Sequence, residues 1–219
     1  MKGLTRQPQF RIRPPPKKGF ASPALMNTKL SDLPPRGSFA LVTYIPDPLG
    51  SFLQSLRLGL PGEENPQAHI TILPPRPLLL PLEIVSFEAQ QILHGFDPFT
   101  IELSRVSVFP ETNILYLEIA EGNDALHKLH DALNTGSLAH EENFEFLPHL
   151  TISGSIPAGE LAKVRAEAER TWEERPKNSS EVDEVVALWQ PSNGSWDDWN
   201  RVWSRKLGGA GNSARAGKS

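Results

Sequence analysis

Between residues 37 and 207, short apolar strings alternate with stretches whose apolar residues recur every three or four positions, the signatures of strands and amphipathic helices. Residues 39–45 form a compact, partly β-branched run that reads as a strand. Asp47 and Pro48 then supply a helix cap and a first-turn proline. The helix they open carries Leu49, Phe52, Leu53 and Leu56 on one face, and Gly59 is placed to stop it. A second strand is expected over residues 68–73, and Pro81 opens a helix with Ile84, Val85, Ala89 and Ile92 on one side. Residues 99–109 and 113–120 read as a hairpin turning at 110–112.

The second half repeats this order. Asn123 caps a helix bearing Leu126, Leu129 and Leu133 that ends at Gly136, and a strand is expected over about 145–153. Pro157 opens a helix with Leu161, Val164, Ala168 and Trp172 on one face, and strands at 182–190 and 199–207 flank a turn-rich 191–198. β-α-β-α-β-β followed by α-β-α-β-β is a weak internal duplication. It predicts an α+β, bilobal fold: two antiparallel sheets with helices outside, lobes at approximately 37–120 and 121–207, a pseudo-two-fold axis, and a cleft between them.

The flanks change character. Residues 1–36 hold a proline triplet at Pro14, Pro15 and Pro16, eight Lys/Arg and a single acid, Asp32, and read as a disordered basic tail, either an arm that touches RNA or a solvated extension. Met26 is an alternative start, since the segment after it leads into the first strand. Residues 208–219 are Gly/Ala/Ser-rich and are also expected to be disordered. Their last three residues, Gly217, Lys218 and Ser219, imitate the end of a phosphate-binding loop. The glycine that such a loop needs earlier is Asn212 here, and no helix can follow Ser219.

A chain of 219 residues with 38% hydrophobic content suits one globular unit rather than two independent domains, with a monomer favoured. There is no cysteine, which removes disulfides and thiolate metal sites and fits a reducing compartment. No apolar run approaches the roughly 20 residues of a spanning helix, so a cytoplasmic protein without a membrane partner is expected. The net charge of −4 conceals an asymmetry: ten of the 22 Lys/Arg but only one of the 26 acids lie in the flanks. Residues 37–207 therefore carry 12 bases against 25 acids, a net of −13. Such a core does not suit a duplex nucleic acid, though a small or end-bound phosphate ligand remains compatible.

The chemistry is concentrated in a duplicated motif. Residues 69–72 read His-Ile-Thr-Ile and residues 149–152 read His-Leu-Thr-Ile, at equivalent points of the two halves. On a strand, His69 and Thr71, and likewise His149 and Thr151, share one face while their apolar neighbours enter the core. One such histidine would be an ordinary hydrogen-bonded strand residue. Two imidazoles and two hydroxyls converging on a cleft instead suit a phosphate group, with acid and base near neutral pH and donors for non-bridging oxygens.

These paired His-x-Thr strands, 80 residues apart within this element order, resemble the 2H phosphoesterase superfamily, in particular its RNA 2′,3′-cyclic phosphodiesterase and 2′-5′ RNA ligase branch, over about residues 37–207. The resemblance implies in-line attack on a phosphodiester with no metal or other cofactor, His69 and His149 as the catalytic pair, and Thr71 and Thr151 as phosphate ligands. The substrate it implies is a small nucleotide or RNA end. Hydrolysis, 2′-5′ joining and non-catalytic binding all remain open. The proline-rich Pro74-Pro75-Arg76-Pro77 departs from the pattern and bears on substrate choice.

Other residues carry weaker expectations. Ser153 lies on the face of His149 and Thr151 as a third donor, Arg76 is a phosphate clamp or a solvated loop residue, and Tyr44, Trp189 and Trp196 wall a base pocket or serve as packing. His127 and His130 sit three apart on a helix without acidic or cysteine partners at ligand spacing and read as its polar face. His94 and His140 receive no role.

Overall fold

The computed structural model describes residues 36–61, 67–194 and 198–208. The tail readings for 1–35 and 209–219, Met26, the terminal Gly-Lys-Ser triplet and Trp196 lie outside these residues. The strands are β1 (Ser38–Tyr44), β2 (His69–Pro77), β3 (Phe99–Phe109), β4 (Ile114–Ile119), β5 (His149–Ser155), β6 (Ser179–Val182), β7 (Glu184–Gln190) and β8 (Asn200–Lys206). The helices are α1 (Leu49–Leu58), α2 (Leu82–Leu93), α3 (Asn123–Leu133) and α4 (Leu161–Trp172), with one 3-10 turn at Gly136–Leu138.

The helices form where apolar residues fall on one side. Leu49, Leu53 and Leu56 of α1, and Val164, Ala168 and Trp172 of α4, are all buried. Asp47 closes the start of α1 by accepting from the Ser51 amide at 2.9 Å and its hydroxyl at 2.5 Å. On α2 the buried stripe is Val85, Ala89 and Leu93, whereas Ile84 is half exposed, so the inward face is rotated from the expected one. The strand expected at 182–190 is β7, with a separate short strand, β6, just before it, and β5 begins at His149, later than expected.

Two antiparallel four-stranded sheets result, ordered β2-β1-β7-β8 and β5-β4-β3-β6. Each takes two strands from each sequence half. The pseudo-two-fold is real in the order of strands, with β2 matching β5 and β1 matching β4, but the lobes at 37–120 and 121–207 interleave instead of dividing at residue 120. The helices cross over in the same way: α1 packs against β5 and α3 against β2. One apolar cluster binds the whole, with Phe39, Leu41, Ile70, Ile72, Leu103, Leu117, Leu150 and Ile152 all buried in it. The edge strands β2 and β5 pack against each other where the two sheets meet.

Candidate active site

The two motif strands are built alike. From the histidine onward both show half-buried, buried, half-buried, buried, buried. The alternation puts His69 and Thr71, and His149 and Thr151, on the faces turned away from the core, as the period of two demands. Pairing then slips just after each threonine: Val42 pairs with Thr71 but Leu41 with Leu73, and Tyr116 pairs with Thr151 but Ile114 with Ser155. A bulge of this kind turns the following residue inward.

Ser153 is the casualty of that bulge. It is fully buried, its hydroxyl accepts from the Leu115 amide at 2.9 Å and donates to the Gly154 carbonyl at 2.9 Å, and it does not stand beside Thr151 as a donor. Leu73 occupies the matching position in β2 and is also buried.

Each histidine holds its Nδ1 against the carbonyl two residues before it, His69 on Gln67 at 3.0 Å and His149 on Leu147 at 2.7 Å. A carbonyl only accepts, so Nδ1 carries the proton in the neutral ring, and Nε2 is the basic nitrogen. The surroundings differ. Tyr44, the register partner of His69, meets that ring edge-on at 6.0 Å between centroids. His149 stands edge-on to Phe109 at 4.9 Å and to Tyr116 at 5.5 Å, and those two rings stack on each other at 4.1 Å. Burial holds the His149 imidazole below the ordinary histidine range, only partly offset by its bond to Leu147. Burial likewise raises the Tyr44 phenol, with Arg201 opposing.

Phe109 and Tyr116 were not singled out from the sequence. The available signal was register: pairing the β3–β4 hairpin against the second motif strand puts Tyr116 opposite Thr151. Glu118, opposite His149, was missed for the same reason. Its carboxylate accepts from the Ser107 hydroxyl at 2.5 Å and pairs with Arg105 Nε at 2.8 Å, and these donors hold it below the usual carboxylate range.

Arg76 is neither a phosphate clamp nor a solvated loop residue. β2 continues through Pro74 and Pro75, and Arg76 is buried within it. Its guanidinium donates to the carbonyls of Pro74 and Leu138 at 3.1 and 2.7 Å, to Asn134 Oδ1 at 2.6 Å and to Glu142 Oε1 at 2.6 Å. His130 shares Glu142 from the other side at 3.1 Å, lies flat on Phe146 at 3.9 Å, and is buried, so it is not part of a solvated helix face. His127 meets the edge of the same Phe146 ring. Trp189 is the partner of Phe39 and packs against the core, away from the motif histidines. Exposed His94 meets Arg205, and the His140 amide donates to Asn134. Among the described residues no three His, Cys, Asp or Glu side chains group as a metal site requires, and no helix is long and apolar enough to cross a membrane.

The family model described as the 2'-5' RNA ligase superfamily matches residues 45–194. A Geobacillus kaustophilus protein named "Putative phosphoesterase GK0864" is 29% identical over 167 residues, 72% of this chain and 91% of that protein. A Halalkalibacterium halodurans protein, "Putative phosphoesterase BH1439", is 32% identical over 58% of this chain and 78% of its own length. Among solved structures, E. coli LigT complexed with phosphate superposes with a TM-score of 0.54 at 14% identity, covering 80% of this chain and 99% of LigT. TT0787 of Thermus thermophilus gives 0.54 at 16% identity, covering 78% and 97%. At these identities the structural likeness establishes the fold.

Proposed function

The chain belongs to the 2'-5' RNA ligase superfamily, and from that premise we propose that it hydrolyses a 2′,3′-cyclic phosphate or a related 2′-5′ ester on a small nucleotide or RNA end. The observation that carries this reading is the matched pair of imidazoles: His69 and His149 stand at equivalent positions of two packed edge strands, each with Nδ1 anchored on a carbonyl. Phosphate and 3'-AMP, with which LigT was solved, are the kinds of ligand we infer for this site.

His149, whose imidazole burial holds below the ordinary histidine range, takes the proton of the attacking water on Nε2. The water oxygen bonds to phosphorus, the bond from phosphorus to one ribose oxygen breaks, and His69 Nε2 delivers the proton that oxygen needs. Thr71 and Thr151 donate to the non-bridging oxygens. In 2′-5′ joining a ribose hydroxyl replaces the water and the same groups act. The deciding measurement is turnover of 2′,3′-cyclic mononucleotides, cyclic-phosphate-ended oligonucleotides and 2′-5′-linked dinucleotides. Binding of this panel without turnover would make the protein a ligand-binding relative instead.

A bell-shaped pH profile of kcat/KM is expected, since the base must be neutral and the acid charged. The low-pH limb should lie below the ordinary imidazole value of about 6.5, because burial lowers His149 and activity is lost only as pH falls through that lowered value. Coupling makes both limbs properties of the pair. A profile series after metal stripping, with and without a chelator, checks this. A chelator-sensitive rate restored by zinc or magnesium would refute the two-histidine mechanism.

A further inference from the structure

The face of the second sheet that bears His149 continues well beyond it. Register partners share a face, so Glu118 stands next to His149, and on the following strand Arg105 reaches Glu118. Two strand spacings, roughly 10 Å, separate β5 from β3. There the surface opens into a depression of about 480 Å³ whose walls include Glu102, Arg105, Glu118, Arg175 and Asn178.

Its charges are not equally available. Glu118 is engaged by Ser107 and Arg105, and Glu102 accepts from Asn178 Nδ2 at 2.7 Å. Each carboxylate thus keeps one protein donor even when Arg105 is drawn away, Ser107 on Glu118 and Asn178 on Glu102. A guanidinium has five N–H donors, more than these contacts consume. Arg175 is held in place: it lies over the Trp172 ring at 4.7 Å, its Nη1 donates to the Trp172 carbonyl at 3.0 Å and lies 3.5 Å from the exposed Glu173 carboxylate, and its side chain is only 25% exposed, with Nη2 and Nε outside these contacts. Arg105 is 77% exposed and can turn from Glu118 toward a ligand. A held arginine and an exposed one, with donors in excess beside a site read as acting on phosphate, suit a phosphodiester oxygen.

We propose that this depression is a second subsite, which receives the phosphate neighbouring the reacting ester in a short single-stranded RNA end, so that oligonucleotides are preferred over mononucleotides. This rests on the phosphodiesterase reading above. The acidic balance of residues 37–207 is consistent with it, since one additional phosphate needs two local cations and not a basic groove.

The test compares a 2′,3′-cyclic mononucleotide with a trinucleotide ending in the same cyclic phosphate, for the full chain and for Arg175→Gln and Arg105→Gln. The proposal expects kcat/KM for the trinucleotide to fall about tenfold in each variant, with the mononucleotide unchanged within twofold. The slope of log kcat/KM against log salt for the trinucleotide should fall by roughly 0.7 per contact removed. Equal values for the two substrates in the unsubstituted protein, or equal losses on both in the variants, would overturn it. Should the unsubstituted protein turn over neither substrate, the cyclic-phosphate reading fails by itself. Binding of a labelled trinucleotide then decides the subsite: weakening in both variants supports it, and absent or unaltered binding overturns it. Arg105→Gln, at an exposed position, guards against misfolding as the cause.

Discussion

Replacing His149 or His69 with alanine is expected to lower kcat on the best substrate by about 10²- to 10⁴-fold while the protein remains folded, because in the proposed mechanism each substitution removes one positioned proton-transfer group. Both rings are half-buried at the sheet edge and neither belongs to the apolar cluster, so the core keeps its packing. Thr71→Ala and Thr151→Ala should cost less, because a donor to a phosphate oxygen can be partly replaced by water. The double histidine variant should be little worse than the poorer single one, since a pair acting as a unit loses its function with the first member. Kinetics with matched circular dichroism would check this, and near-full activity in either single variant would end the paired-site account.

The second large effect is on stability. Arg76→Met should destabilise the protein by about 3–5 kcal/mol, since it strands Glu142 with His130 as its remaining described partner, takes the guanidinium from the buried Leu138 carbonyl, and leaves Asn134 Oδ1 with the His140 amide alone. Burial disfavours the Arg76 charge and Glu142 opposes that, so breaking the pair costs more than the pair itself contributes. Adding Glu142→Leu should recover part of the loss, because two apolar groups leave no uncompensated charge. Urea midpoints at constant m-value are the measurement. A shift of Arg76→Met below about 1 kcal/mol would mean that this network does not hold the segment before β5 to β2.

What could be read from the sequence was whatever depends on local period. The duplicated His-x-Thr strands, the β3–β4 hairpin and the inward faces of α1 and α4 all follow from spacings of two or of three to four. What could not be read depends on pairing across the chain. A bulge after Thr151 turned Ser153 inward, though simple alternation placed it outward. Two prolines suggested that β2 ended before Arg76, but an edge strand tolerates proline, and the buried network past it involves residues 58 to 66 positions away. The aromatic wall of Phe109 and Tyr116 came into view only once β4 was set beside β5.

The interleaving of strands bears on how the chain must be assembled during synthesis. β1 and β2 can pair as soon as both have been made, yet the other side of β1 is completed by β7, more than 140 residues later. Until Glu184–Gln190 leaves the ribosome, β1 presents an unpaired, strongly apolar edge, the feature most prone to joining a neighbouring chain. The second sheet waits less, since β3, β4 and β5 are consecutive and only the short β6 arrives late. One motif strand therefore belongs to an early-forming meander and the other to a sheet closed by the end of the chain. Contacts of such long sequence separation slow folding, and a nascent chain halted before β7 is the aggregation-prone species.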